Sequence, residues 1–184
     1  MKFFSFSAAC VPALLMYSAA VHAQAVQEPG LWEMTQTMHS ESGRAEEENK
    51  QRTEMMASLP EEQRKIMEET FSAQGITLNT DGSMKIKTCI TKEMADELQL
   101  PSMERDGCKT AVISRTGSEI KSEFNCSGED GELKGYSTLT FDGPKAVTMV
   151  TESESIIDGQ KDKVSIKMVG KWLSSDCGSI NPAQ

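Results

Sequence analysis

The sequence predicts a mainly β protein: an antiparallel meander curled into an open sheet or barrel, with an inserted charged helical hairpin that makes it α+β by count. Three observations support this fold class. Five β-type runs follow one another between 108 and 172, a block of helix-forming residues interrupts the chain earlier, and four cysteines remain after a predicted leader. We expect a single β-rich domain over 24–184, with the helical insert at 44–74.

The meander is predicted from alternating apolar and polar residues with turn residues between the runs. Glycine supplies the positive φ that tight turns need, and it occurs at Gly117, Gly128, Gly143 and Gly159. Short connections force neighbouring strands to be antiparallel. The five runs are 109–115, 119–126, 132–141, 145–156 and 163–172.

Each predicted strand has one apolar face, so the sheet must curl around a core or accept a helix on that face. Large aromatic residues serve mainly for burial, and we expect neither tryptophan to be exposed to solvent. The core residues predicted from the alternation are Trp32, Met34, Phe124, Leu139, Phe141, Ile166 and Trp172.

Further elements precede the meander. Alternation predicts strands at 29–38 and 83–91, and Thr91 is expected to cap a short helix over 92–99.

The insert 44–74 is rich in Glu, Lys, Arg, Gln, Met and Ala, which favour helix. A first helix is expected over 44–57. Ser58 is expected to cap a second helix, with Glu61 completing a capping box and Pro60 in the first turn, and Gly75 ends it. Since the insert has much charge and few apolar residues, we expect a hairpin only partly docked on the sheet and dispensable for folding.

The first 23 residues have the features of a secretory signal peptide: a basic residue, Lys2, then an apolar stretch and a small-residue site ending at Ala23. The stretch is shorter than the roughly 20 residues that span a bilayer. We therefore expect cleavage after Ala23, a secreted chain and no stable membrane anchor. Cys10 precedes the apolar core, which argues against lipidation.

Removing 23 of the 184 residues leaves 161 and takes the net charge from −9 to −10, because Lys2 is lost. This acidity argues against nucleic acid and anionic lipid surfaces, which bind basic patches. Aromatic residues are few, which disfavours the stacking platforms used for sugars and single strands.

Four cysteines in a secreted chain, none in a C-x-x-C pair, predict two structural disulfides. In the meander Cys108 faces Cys126, whereas Cys177 follows three further strands. This favours Cys108 with Cys126 and Cys89 with Cys177. Cys89 with Cys108 competes if the strand at 83–91 pairs directly with the next one.

No residue is assigned a catalytic, cofactor-binding or metal role, and we expect no enzyme and no cofactor. His39 is the only histidine after the leader, and the sequence has no G-x-S-x-G motif. The acidic runs of the insert are typical of a solvated helix face. A copper site is the sharper alternative, since thioethers bind Cu(I), but the spacing fits neither a repeated M-x-x-M nor an H-x-M pair, and we favour core packing for the methionines. Its ligands would come from Met34, Met38, His39, Met55, Met56 and Met67.

Several short motifs occur together in the chain: Pro29-Gly30-Leu31-Trp32-Glu33, Cys89-Ile90-Thr91, Asp106-Gly107-Cys108, Cys126, Gly170-Lys171-Trp172-Leu173 and Asp176-Cys177. In this combination they resemble an uncharacterised family of secreted Gram-negative proteins, "domain of unknown function thirty-six seventeen". The helical insert, from Leu59 to Lys65, is similar to one that some members carry. The resemblance implies a periplasmic, disulfide-bonded, β-rich domain and transfers no activity.

Two hypotheses about function follow. In the first, the protein is a binding module whose curled sheet holds a small apolar or amphipathic ligand, with the hairpin over its mouth. In the second, it is an envelope protein that docks to another protein through the charged hairpin. We favour the first.

Overall fold

Eight strands and three helices follow one another in the computed structural model, which describes residues 27–97, 107–128, 131–157 and 159–182. The predicted leader, 1–23, lies outside the described residues. The strands are β1 (Gly30–Ser40), β2 (Ile76–Leu78), β3 (Met84–Ile90), β4 (Cys108–Arg115), β5 (Glu119–Gly128), β6 (Gly131–Phe141), β7 (Ala146–Ile157) and β8 (Gln160–Ser174). The helices are α1 (Arg44–Ser58), α2 (Glu61–Ala73) and α3 (Lys92–Glu97).

All eight strands form one antiparallel sheet in the order β2-β3-β1-β8-β7-β6-β5-β4. The predicted meander is confirmed, because β4 to β8 are neighbours in chain order. The sheet is open: in the described part of the chain its two edge strands, β2 and β4, do not pair with each other. The first strand, β1, lies between β3 and β8 and so joins the two halves of the sheet.

The hydrophobic core lies on one face of the sheet. Trp32 is completely buried and clusters with Ile120, Phe141 and Val147. Three residues of the predicted core, Met34, Leu139 and Trp172, are partly buried and pack against this cluster together with Ile90. Phe124 is also buried, whereas Ile166 is half-buried.

Both indole nitrogens have hydrogen-bond partners at the start of β1. Trp32 Nε1 donates to the carbonyl of Glu28 at 2.8 Å, and Trp172 Nε1 donates to that of Pro29 at 3.0 Å. The two tryptophans are opposite each other in the ladder of β1 and β8. Burial of these large rings therefore leaves no indole N–H without a partner.

Gly135 allows β6 to approach its neighbours closely. A Cβ there would lie 2.2 Å from the carbonyl oxygen of Glu152 and 2.7 Å from Cζ of Phe124. The missing side chain thus provides the space that the buried Phe124 ring occupies.

Two disulfides join Cys89 to Cys177 and Cys108 to Cys126, the pairing favoured in the sequence analysis. Cys108 and Cys126 are direct partners in the ladder of β4 and β5. Leu31 of β1 pairs with Cys89 on one side and with Ser174 on the other. The Cys89–Cys177 disulfide therefore attaches the tail after β8 to β3, which lies on the other side of β1, and its two Cα atoms are 5.5 Å apart.

A polar cluster attaches the start of α1 to the sheet. Asp162, which is 6% exposed, accepts hydrogen bonds from Ser42 Oγ at 2.7 Å and from the Ser42 amide at 3.2 Å, and Arg44 lies 3.4 Å away. These hydrogen bonds hold the pKa of Asp162 below its usual value. Ser40 Oγ accepts from the amide of Ala45 at 2.9 Å and donates to Glu46.

Beyond this attachment the hairpin of α1 and α2 has little contact with the core. Ala45 is the one buried residue of α1, and α2 has none. The helical insert and its partial docking thus follow the sequence pattern. The predicted Ser58 capping box was wrong, because α2 begins after Pro60 without a side-chain cap and Ser58 Oγ donates to the carbonyl of Met55.

Strand β2 was not predicted, since three residues are too few to show alternation. The bulge between Val112 and Ser114 in β4 was also missed. Thr91 does cap α3, where its Oγ1 accepts from the amide of Met94 at 3.2 Å. No helix in the described ranges is long and apolar enough to cross a membrane.

Candidate functional site

A cleft of about 510 Å³ lies between the helical hairpin and the edge strand β2. We call it the hairpin cleft. One wall is formed by the two helices, and the other follows the chain from β2 into the next turn. The lining residues are Arg52, Thr53, Met56, Ala57, Arg64, Glu68, Phe71, Ser72, Ile76, Thr77, Leu78, Asn79 and Thr80.

Helical spacing explains which side chains face the hairpin cleft. On α2, Arg64, Glu68 and Phe71 are separated by four and then three residues, so they share one face of the helix. On α1, Arg52 and Met56 are four residues apart and likewise share a face. The 3.6-residue period thus carries one apolar and one cationic side chain from each helix into the cleft.

The apolar part of the hairpin cleft consists of Met56, Phe71, Ile76 and Leu78, all of them half-buried. Their exposure contrasts with the core cluster, where Trp32 is 0% and Ile120 1% exposed. Partly exposed apolar side chains around a concave space are the usual lining of a ligand pocket.

Two arginines give the hairpin cleft a local positive charge in an acidic protein. Arg64 forms an ion pair with Glu68 at 3.8 Å, and Arg52 donates a hydrogen bond to Asn49. The Arg64 contact is long and more than a third exposed, so it holds the guanidinium only weakly. The two arginines and the single carboxylate of Glu68 leave the lining of the cleft with one net positive charge, which favours an anionic group there.

A second depression of about 600 Å³ lies on the side of β4 to β8 that carries Lys109, Glu123 and Tyr136. Its charges largely compensate one another. Glu154 lies 3.1 Å from Lys161 and 3.4 Å from Lys134, and hydrogen bonds from these two lysines lower the pKa of Glu154. Although this depression is larger, we favour the hairpin cleft, which combines apolar walls with cationic groups.

Comparisons with known proteins identify a family for this chain. A family model described as "Protein of unknown function (DUF3617)" matches residues 27–177. The chain belongs to this family. A relative from Pseudomonas putida, "Uncharacterized protein in lpd-3 5'region", is 33% identical over 131 residues, which cover 71% of this chain and 88% of the relative. No solved structure matches the chain. The DUF3617 match includes all eight strands and the hairpin cleft.

The residues considered for chemistry in the sequence analysis lie in different parts of this DUF3617 protein. Cys89, Cys108, Cys126 and Cys177 form the two disulfides. Among the described residues no group of three or more His, Cys, Asp or Glu side chains is placed to hold a metal ion.

The methionines of the copper alternative also lie apart. Met34 packs against the core cluster, whereas Met55 is 57% exposed on α1. His39 Nδ1 contacts the carboxylate of Glu46, which also accepts from Ser40. The hydrogen bond from its own backbone, followed by those of Ser40 and His39, lowers the pKa of Glu46. Glu46 therefore contributes to the attachment of α1.

The sequence analysis named Met56, which lines the hairpin cleft, only as a candidate copper ligand and predicted no site here. The cleft depends on β2, which was not predicted. A signal was present in the apolar pair Ile76 and Leu78, which alternates around Thr77 directly after the helix-ending Gly75.

Proposed function

We propose that this protein is a non-enzymatic binding module of the periplasm that holds a small amphipathic ligand in the hairpin cleft. The observation that carries the proposal is the composition of the cleft. Four half-buried apolar side chains surround about 510 Å³, and Arg52 and Arg64 stand beside them. A volume of this size falls in the range of ordinary ligand pockets, roughly 300–1,000 Å³.

The ligand position differs from the one expected from sequence. That expectation placed the ligand inside the curled sheet, but buried side chains occupy the inner face there. Ser122, Ser137 and Thr151 form a buried row across β5, β6 and β7, and the hydroxyls of Ser137 and Thr151 are 2.8 Å apart. The hairpin therefore serves as a wall of the proposed site.

Periplasmic location is part of the proposal. Two disulfides are typical of proteins that fold in an oxidising compartment. The signal-peptide pattern of 1–23 supports the same location. We expect the purified chain from a periplasmic extract to begin at Gln24, which N-terminal sequencing would test. A chain that retains the leader and is found in the cytoplasm would refute this part.

The binding proposal is tested with anilinonaphthalene sulfonate, an anionic amphipathic dye. We expect saturable binding at one site per chain, with loss of affinity of about tenfold in Phe71→Ala, because an aromatic wall is removed. Ile113→Ala on β4 is the matched control, since Ile113 is 51% exposed at the other end of the sheet. Equal dye affinity in both variants and the wild type would contradict the proposal.

A second function, docking of an envelope protein on the hairpin, is favoured by two exposed apolar residues. Met55 is 57% and Ile66 63% exposed. Cross-linking from the hairpin in intact cells would test whether an envelope protein docks there. A specific adduct that Met55→Ser and Ile66→Ser abolish, with dye binding unchanged, would favour docking.

A further inference from the structure

The main chain of β2 presents hydrogen-bonding groups to the hairpin cleft. In its ladder with β3, the amide of Lys87 donates to the carbonyl of Gly75 at 2.7 Å, and the amide of Asn79 donates to that of Ser83 at 2.9 Å. In an antiparallel pair, residues that bond to the partner alternate with residues that bond outward.

The alternation assigns a direction to each residue of β2. Gly75, Thr77 and Asn79 direct their N–H and C=O groups to β3. Ile76 and Leu78 direct theirs to the free edge of the sheet. Within the described ranges, no hydrogen bond engages the main-chain groups of Ile76 or Leu78.

The hairpin cleft runs along this free edge. Its wall includes every residue of 76–80, with side chains from both faces of the sheet. Strand β2 itself has three residues, about 10 Å of extended chain, and the wall then continues through Asn79 into the turn at Thr80. The free edge therefore offers a short extended segment two outward-facing residues, Ile76 and Leu78.

The helical wall offers contacts to the side of a bound strand that faces away from β2. Met56 and Phe71 offer apolar contacts, and Arg52 and Arg64 offer positive charge. A free strand edge beside an apolar, helix-walled groove is the arrangement in which an extended peptide adds a strand to a sheet. A rounded lipid or metabolite would leave the outward groups of Ile76 and Leu78 without partners.

We propose that the ligand of the hairpin cleft is an extended peptide segment of another protein, which adds to β2 as a ninth strand. Its main chain pairs with Ile76 and Leu78, alternate apolar side chains contact Phe71 and Met56, and a carboxylate binds the arginines. This inference rests on the proposed function and specifies the chemical class of the ligand.

The other free edge lacks these features. Strand β4 has a bulge between Val112 and Ser114, which interrupts the register that an added strand would need. Val112 and Ile113 are 53% and 51% exposed, and neither of them lines the hairpin cleft. The helical wall thus distinguishes the β2 edge as the peptide site.

The probe is a phage-displayed library of random peptides about six residues long, selected on the disulfide-bonded protein. We expect enrichment of sequences with apolar residues at alternate positions and one acidic group. In a synthetic copy of the selected peptide, N-methylation of every second residue should weaken binding about tenfold per lost hydrogen bond. N-methylation of the intervening residues should have little effect.

A variant of the protein tests the same contact from the other side. Leu78→Pro removes the N–H that faces the cleft and keeps the ladder with β3, a change that edge strands tolerate. We expect it to abolish peptide binding, whereas Leu78→Ala, which keeps the N–H, weakens peptide binding less. Leu78 also lines the dye site, and both variants lose its apolar side-chain contact, so the two variants are compared with each other and should bind the dye with similar affinity. If Leu78→Pro does not fold, the N-methylated peptides give the answer alone.

The outcomes separate the two proposals. Dye binding in the cleft without enrichment of any peptide, or with equal binding of all N-methylated copies, refutes strand addition and leaves the amphipathic-ligand proposal standing. Absence of both dye and peptide binding refutes both. Peptide binding that survives Leu78→Pro overturns the assignment to the β2 edge.

Discussion

Removal of the Cys89–Cys177 disulfide should destabilise the protein more than removal of Cys108–Cys126. The first closes a loop of 88 residues in the unfolded chain and the second a loop of 18. The chain-entropy relation then gives losses of about 4.6 and about 3.2 kcal/mol at room temperature. The expected difference, about 1.4 kcal/mol, arises from the unfolded state, since each disulfide joins elements that the sheet already brings together.

The assay is equilibrium unfolding in urea, followed by tryptophan fluorescence because Trp32 is fully buried. With a slope of about 2 kcal/mol per molar urea, the midpoint should fall by ~2.3 M in Cys89→Ala/Cys177→Ala and by ~1.6 M in Cys108→Ala/Cys126→Ala. The reverse order would refute the reasoning. The reverse order would mean that the tail after β8 detaches from the native sheet once Cys89–Cys177 is removed. The native state would then gain part of the freedom that the unfolded chain gains, and the loss of stability would be small.

Three further predictions concern the sheet and the hairpin. Gly135→Ala should destabilise by about 1–3 kcal/mol through overpacking, whereas Gly128→Ala, with open space at its Cβ, should stay within about 0.5 kcal/mol; thermal unfolding compares them. Asp162→Asn should have a lower free energy of unfolding than the wild type at neutral pH, and this difference should disappear as the pH falls from 3.8 through the lowered pKa of Asp162, because protonation cancels the stabilisation by Ser42. A difference that does not depend on pH would contradict this. Replacement of 47–74 by about 12 Gly/Ser residues should preserve cooperative unfolding and abolish dye binding.

The meander was predictable because its evidence is local. Alternation and turn glycines define each strand, and short turns define its neighbour. The facing of Cys108 and Cys126 followed from counting across one turn, and the ladder shows the same pairing. Next to the turn the observed register differs from the count by one residue, since Arg115 pairs with Ile120. The bulge between Val112 and Ser114, which the sequence does not predict, restores the expected register before Cys108.

The position of β1 was not predictable in the same way. Its long-range pairing with β3 and β8 depends on which edges remain free once the meander has formed. Its alternation predicts a strand with Trp32 on the apolar face, but no short turn specifies its neighbours. The hairpin cleft was missed for the same reason, since its walls come from helices and a strand that only the assembled sheet brings together.

The topology explains why the hairpin and the cleft occur together. β1 and β2 are both antiparallel to β3, so they are parallel to each other with β3 between them. Parallel strands cannot be joined by a tight turn, so the chain must cross from one end of the sheet towards the other. Ile76 and Met34 share the partner Ile86, whereas β1 continues six residues beyond Met34 to Ser40.

The connection must therefore span about 20 Å along the strands and about 10 Å across two strand spacings, roughly 22 Å in all. The helical hairpin is that crossover. It returns to the sheet beside β2, which is why the edge with free main-chain groups is also the edge with a helical wall. A flexible linker of about 12 residues can span the same distance without making a wall. Replacement of the hairpin by such a linker therefore separates the sheet from the binding site. This topology requires that the resulting protein still unfolds cooperatively but no longer binds the dye or the peptide.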